Sequence, residues 1–139
     1  MRRRLIVAFA LIWFAVAANG TTAAAAEPPN PAIEVVITRQ LEAFRRDDAA
    51  AAFAIASPFI QGTFGDAGTF VMMVERGFRP IRRSERHRFL NLDTVEGRLI
   101  QRVLIDGADG STAVARYEMI VVDGQWRING CALEKGEAA

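Results

Sequence analysis

The chain carries one cysteine and one histidine, Cys131 and His87, and these are the side chains best suited to nucleophilic or metal chemistry. A thiol served by an imidazole makes a nucleophile–base pair, and Arg116, expected beside Cys131 across a strand pair, would favour the thiolate. Single copies of both residues, however, guarantee a "pair" by counting alone. His87 lies inside RRSERHR among charged neighbours, as a solvated strand position would, and no third group is evident to orient it. One histidine rules out a histidine-rich metal site, and there is no Gly-rich phosphate loop and no Gly-x-Ser-x-Gly elbow. Cys131 therefore reads as small strand filler. Neither a metal nor a cofactor is expected, and binding without catalysis is the favoured activity.

The element that places Cys131 is a hairpin. MIVVDGQWRINGCALEK, from Met119 to Lys135, has Asp123-Gly124 at its turn, a strong two-residue hairpin signal. Pairing outward from that turn sets Val121 against Trp126, Met119 against Ile128 and Tyr117 against Gly130. One face then carries Ala113, Ala115, Tyr117, Met119, Val121, Trp126, Ile128 and Ala132. The other, more polar face carries Arg116, Glu118, Arg127 and Asn129, and Cys131 falls there, opposite Arg116. A slip of one residue would mix polar and apolar on both faces, so the register is strongly specified.

Before the hairpin, the period of the apolar residues changes once. Ile33, Val36, Ile37, Leu41 and Phe44 recur at helical spacing. Asp47 or Asp48 caps a second short helix, AAAAFAIAS, which stops before Pro58. FIQGTFG reads as irregular, and Asp66 caps a third helix that ends near Gly77. From Phe78 the period is two, giving strands near 78–82, 86–93, 98–105, 112–122 and 125–133. Three helices followed by an antiparallel meander make an α+β domain with N-terminal helices packed on one sheet face.

The first 26 residues read differently. Arg2, Arg3 and Arg4 precede an apolar run from Leu5 to Ala18, and Ala24-Ala25-Ala26 precedes Glu27. That order is a secretory signal peptide cut near Ala26, which makes the expected location periplasmic or extracellular and leaves no stable membrane insertion after cleavage. Residues 27–32 form a proline-rich linker, 33–135 a single domain and 136–139 a tail. Cleavage removes three of the 17 Lys+Arg and none of the 16 Asp+Glu, leaving a net charge of −2. A nucleic-acid partner would call for clustered basic charge on a basic domain, so none is expected.

ITRQLEAFRRDDAAAAFAIASPFI resembles the opening of nuclear-transport-factor-2-like domains, and DGQWRI resembles their last hairpin. More closely, ASPFI, MMVERGFRPI and DGQWRINGCAL together resemble a bacterial family of short secreted domains of unknown function, over roughly residues 33 to 135. The resemblance implies a curved, cone-like antiparallel sheet around the long first helix, enclosing a pocket. Isomerase-like members of that superfamily use an inward carboxylate with Tyr or Asp donors, and the final hairpin has no acid on its apolar face.

Pocket candidates follow from the inward faces. Tyr117 and Trp126 lie on the hairpin's apolar side with Phe44 and Phe89 among their neighbours, as a cavity wall or as ordinary core. In RLIQRVLI the register is open. Gln101 inward suits a neutral ligand, whereas Arg102 inward suits a carboxylate or phosphate. The arginines of ERGFRPIRRSERHR suit a solvated edge strand. The leading function is binding of a small apolar molecule or a periplasmic partner protein. Its alternatives are an isomerase- or cyclase-type enzyme drawing on Asp66, Tyr117 or Arg102, and a homodimer joined through the polar sheet face around Val114, Ile120 and Leu133.

Overall fold

A computed structural model describes residues 24–134. The expected signal peptide, apart from its last three residues, and the 136–139 tail lie outside the described residues. The architecture is α+β: helices on a curved, unclosed, five-stranded antiparallel sheet.

The order is β1 (Ala25–Glu27), α1 (Pro31–Arg45), α2 (Ala49–Ala54), α3 (Pro58–Phe64), α4 (Ala67–Gly77), α5 (Arg79–Arg82), β2 (Ser84–Val95), β3 (Arg98–Gly107), β4 (Thr112–Val122) and β5 (Gln125–Leu133). The strands lie in sequence order, β1-β2-β3-β4-β5. Helix α1 touches both β2 and β5. Those strands are separated by two others at ~4.8 Å per step, so α1 spans the concave width of the β2–β5 sheet.

Local chemistry sets most helix starts. Asn30 caps α1 by accepting from the amides of Ala32 and Ile33, with Pro31 at the first helical position. Asp48 caps α2 through Ala51 N, and Asp66 caps α4 through Thr69 N at 2.7 Å. The apolar stripe of α1 is buried as Ile33, Ile37, Leu41 and Phe44.

Three segments depart from the sequence reading. FIQGTFG, residues 59–65, expected to be irregular, lies almost wholly in α3, because Ser57 caps that helix by accepting from Ile60 N and Pro58 follows as its first residue. A Ser-Pro that ends one helix here begins the next. Residues 78–82, expected as a strand, form the short helix α5, where Pro80 occupies an early helical position. Ala25–Glu27 pairs with Leu92–Thr94 of β2, so that the last two residues of the expected signal peptide and the first of the expected linker form a strand.

Arg82 ties α5 to the end of α1. Its side chain is buried, donates to the Phe44 carbonyl and to Asp47 Oδ1, both at 2.5 Å, and stands 3.1 Å from a Glu75 carboxylate oxygen. Asp47 has a left-handed φ of 56°, which turns the chain out of α1 toward that guanidinium. The Arg82 guanidinium, by hydrogen bond and charge, holds the Asp47 carboxyl below the usual carboxylate range.

The sheet contains two bulges. In β2 the register slips between Phe89 and Leu92, so that Leu90 and Asn91 together oppose Arg102. In β5, Met119 faces Ile128 while Glu118 faces Gly130, leaving Asn129 as the extra residue. The second bulge corrects the expected hairpin register. Val121–Trp126 and Met119–Ile128 pair as expected, but Tyr117 faces Cys131 rather than Gly130. Beyond Asn129 every side chain of β5 changes face. Cys131 and Leu133 turn toward the core, and Ala132 turns out beside Arg116.

Candidate functional site

The inner wall of the fold encloses a pocket of about 240 Å³. Helix α1 contributes Gln40 and Phe44, α3 contributes Ile60 and Phe64, α4 contributes Phe70, Met73 and Val74, and the α4–α5 segment contributes Phe78 and Ile81. The sheet closes it with Tyr117, Ile128, Gly130 and Cys131. Phe70 is the centre of the aromatic wall, with ring centroids 6.1 Å from Phe44, 5.4 Å from Phe53 and 5.8 Å from Phe64. These tilted contacts are the ordinary geometry of aromatic packing.

The wall contains no charged side chain. Its polar groups are few. Gln40 is buried and donates its Nε2–H to the Ala52 carbonyl at 3.3 Å, which fastens α1 to α2. Tyr117 is fully buried, and its hydroxyl has no hydrogen-bond partner among the described residues. Burial, then the neighbouring Cys131, pushes the Tyr117 hydroxyl well above the usual tyrosine range. Burial likewise pushes the Cys131 thiol far up. At neutral pH that sulfur is a protonated thiol and a poor nucleophile.

The bulge that delivers Cys131 to this wall is held from outside the sheet. Ser57 N donates to the Ile128 carbonyl at 2.8 Å and Ile128 N donates to the Ile55 carbonyl at 3.2 Å, forming a short parallel bridge at Ala56. Ser57 Oγ donates to Asn129 Oδ1 at 2.7 Å, and Asn129 Nδ2 donates to Glu118 Oε2 at 3.1 Å. The extra residue of the strand is thus the one that the α2–α3 junction grips. Asn-Gly within a strand run was the available signal for it.

His87 lies elsewhere. It is on β2, three strands from Cys131, or roughly 14 Å at ordinary strand spacing. Its Nε2 is 3.2 Å from Thr38 Oγ1 on α1, and its ring meets Phe89 edge-on at 5.3 Å. Partial burial, then the charge of Arg45, lowers its pKa. The two residues belong to different places.

Of the pocket candidates, Tyr117 and Phe44 lie in the wall. Phe89 packs on the core beside His87. Trp126 borders a separate groove with Val35, Val36, Arg39 and Ile55, near the hairpin turn. Gln101 is buried, but its amide donates to the carbonyls of Leu90 and Asn91, at 3.2 and 3.4 Å, and so serves the β2 bulge. Arg102 points to the opposite face, where Glu134 takes it in two bonds at 2.6 and 2.9 Å and Asn91 Oδ1 takes a third at 2.7 Å. That pairing, with burial acting against it, lowers the Glu134 pKa and raises that of Arg102. Asp66 is committed to its helix cap, and the Thr69 amide holds its carboxyl low. Val114 and Ile120 are half-buried, while Leu133 has turned inward with the bulge.

No described helix is long and apolar enough to cross a membrane, and no cluster of three His, Cys, Asp or Glu side chains occurs among the described residues. The profile of a family described as "domain of unknown function (DUF4864)" matches residues 26–139. The chain belongs to that family. No curated protein and no solved structure matches it.

Proposed function

Taking membership of a family without an assigned activity as the premise, we propose that this domain is an exported, non-catalytic module that binds a small apolar molecule in the α1–α4–β5 pocket. The observation that carries the reading is the pocket itself: about 240 Å³, walled by aliphatic and aromatic side chains. That volume exceeds the engineered cavity of about 150 Å³ that takes up benzene. It falls short of the roughly 300 Å³ at which drug-sized sites begin. A ligand of one or two rings with little attached fits between those limits.

Export is supported by the basic, apolar and Ala-x-Ala order of residues 1–26. Helices packed on a curved antiparallel sheet that encloses a pocket also suit kinship with nuclear-transport-factor-2-like domains. Turnover of isomerase type would need a carboxylate within reach of the bound molecule, and the wall provides none.

Native mass spectrometry of the exported protein tests this directly, since it reports bound mass and subunit count together. The expected result is a monomer carrying a small adduct that is lost on extraction with organic solvent. A bare mass, together with no thermal shift on adding tetralin, would overturn the reading. A dimer without an adduct would favour an assembly role instead.

A further inference from the structure

We propose that the groove between helix α1 and the Asp123-Gly124 hairpin is a second binding site and takes a small aromatic carboxylate, its ring against Trp126 and Val35 and its carboxylate on Arg39 and Arg127. The groove shares no lining residue with the inner pocket, so this site goes beyond the function proposed above and does not depend on it.

The groove has a volume of about 420 Å³, within the range of small-molecule sites. Helix α1 lays Val35, Val36 and Arg39 along one side, with residues 35 and 39 one turn apart on the same face. Ile55, just after α2, and Trp126 and Arg127 of β5 form the rest of the wall that matters here. The apolar part is open to solvent rather than sealed as core. Val35 is 47 % exposed, and Val121, which pairs directly with Trp126 across the strands, is 54 % exposed. Two of the four large hydrophobic side chains that stand exposed among the described residues are therefore here, beside an indole that is itself only partly buried. A flat ring laid on Trp126 and Val35 covers that surface.

The charge on the groove has one sign. Its ionisable walls are Arg39 and Arg127, and no acid lines it. Neither arginine forms an ion pair with a described residue. Arg127 is held by neutral acceptors, donating to the Ala54 carbonyl at 2.6 Å and to Gln125 Oε1 at 3.2 Å. Those bonds fix the guanidinium without neutralising it. Arg39 is exposed and reaches the same groove from α1. Where other guanidiniums of this chain are packed against the fold they meet carboxylates, Arg82 with Asp47 and Glu75, and Arg102 with Glu134. In the groove the carboxylate comes with the ligand. The planar fork of arginine matches a carboxylate, and two cations beside an apolar wall select an anion that also carries a ring.

The test uses the exported protein and three probes of similar shape. Hydrocinnamate carries a carboxylate, hydrocinnamamide a neutral amide and phenylpropylamine a cation. Trp126 is the only tryptophan outside residues 1–26, so its emission, excited at the red edge of indole absorption, reports occupancy of the groove. Hydrocinnamate should change that emission and bind about tenfold more tightly than the amide, as a charge-assisted hydrogen bond provides, with phenylpropylamine weakest. Added salt should narrow the difference. Arg39→Gln should bring hydrocinnamate and the amide to within about threefold of each other, leaving Arg127 as the remaining cation. Val35→Glu puts an anion on an exposed wall and should abolish hydrocinnamate binding without lowering the melting temperature. Saturating tetralin should leave hydrocinnamate affinity unchanged, because the two sites are separate.

Equal affinity for the three probes, or hydrocinnamate affinity unchanged in Arg39→Gln and Val35→Glu, would overturn the inference. Binding that leaves Trp126 emission unaltered would overturn it by placing the ligand elsewhere, and displacement of hydrocinnamate by tetralin would do so by placing it in the inner pocket. Failure of hydrocinnamate to bind while tetralin still shifts the melting temperature would remove this site and leave the pocket reading standing. The reverse result would remove the pocket reading and leave this site.

Discussion

The two faces of the β3–β4–β5 sheet are built from alternate residues of the same strands and treat polar groups in opposite ways. Outside, polar side chains complete one another: Arg102 with Glu134 and Asn91, Glu118 with Asn129 and, at 3.5 Å, Arg98. Inside, the side chains are mostly apolar, Gln101 is spent on the β2 bulge, and the Tyr117 hydroxyl has no hydrogen-bond partner among the described residues. The outer-face ion pairs are partly exposed, so each contributes little. The inner face carries the buried core, so its packing is costly to disturb.

The comparison can be broken by substitutions on each face. Phe70→Ala should have the largest effect, about 3–5 kcal/mol of unfolding free energy in a urea titration, because Phe70 is the ring on which Phe44, Phe53 and Phe64 meet. A cost below about 1 kcal/mol would show that the aromatic wall is loosely packed. Cys131→Leu comes next. It should change stability by less than about 1.5 kcal/mol, since the pocket accepts the added methyl groups, yet abolish the tetralin-induced thermal shift. Retained binding would mean that ligand sits away from β5.

Glu134→Gln should cost the outer face about 0.5 kcal/mol, because both Arg102 and Glu134 are about one-third exposed, and the loss should shrink in high salt. The pH dependence has a defined sign. The Glu134 carboxyl is lower in the folded protein than in the unfolded chain, so its contribution is present above ~4.3 and disappears as pH falls through the depressed folded value. A melting curve that falls less steeply between about pH 5 and 3 in the Gln variant than in the parent would isolate it, since the lowered Asp47 and Asp66 carboxyls contribute equally to both.

The smallest effect belongs to His87. Its folded pKa is lowered by burial and by Arg45, so the unfolded chain takes up a proton first and stability declines as pH drops below ~6.5. His87→Gln should remove that slope, measured as melting temperature from pH 7.5 to 5. A slope of opposite sign would place a carboxylate, rather than Arg45, as the controlling charge on the imidazole.

How much of this was legible in the chain depends on how local its cause is. The Asp66 cap, the apolar stripe of α1 and the turn at Asp123-Gly124 each rest on interactions within a few residues and occur where the sequence puts them, and of Asp47 and Asp48 it is Asp48 that caps α2. Ser57-Pro58 was ambiguous, because the same dipeptide ends one helix and opens another. Phe78–Arg82 alternates like a strand, but Arg82 instead closes a helical turn by binding the Phe44 carbonyl, 38 residues earlier in the chain. In RLIQRVLI both registers satisfied the alternation rule. The β2 bulge chose between them by needing Gln101 for its carbonyls and Arg102 for Asn91.

The sequence by itself determined the α+β class, the order of helices before strands, the single hairpin turn that starts the last strand pair, and the absence of histidine-rich chemistry. Each of these follows from composition or from contacts between near neighbours. Only the tertiary structure decided which face Cys131 occupies. Ser57 and Ile55, some 70 residues distant, bind Asn129 and Ile128 and fix a one-residue bulge there. Because strand side chains alternate with period two, that one extra residue moves everything after it to the other side of the sheet.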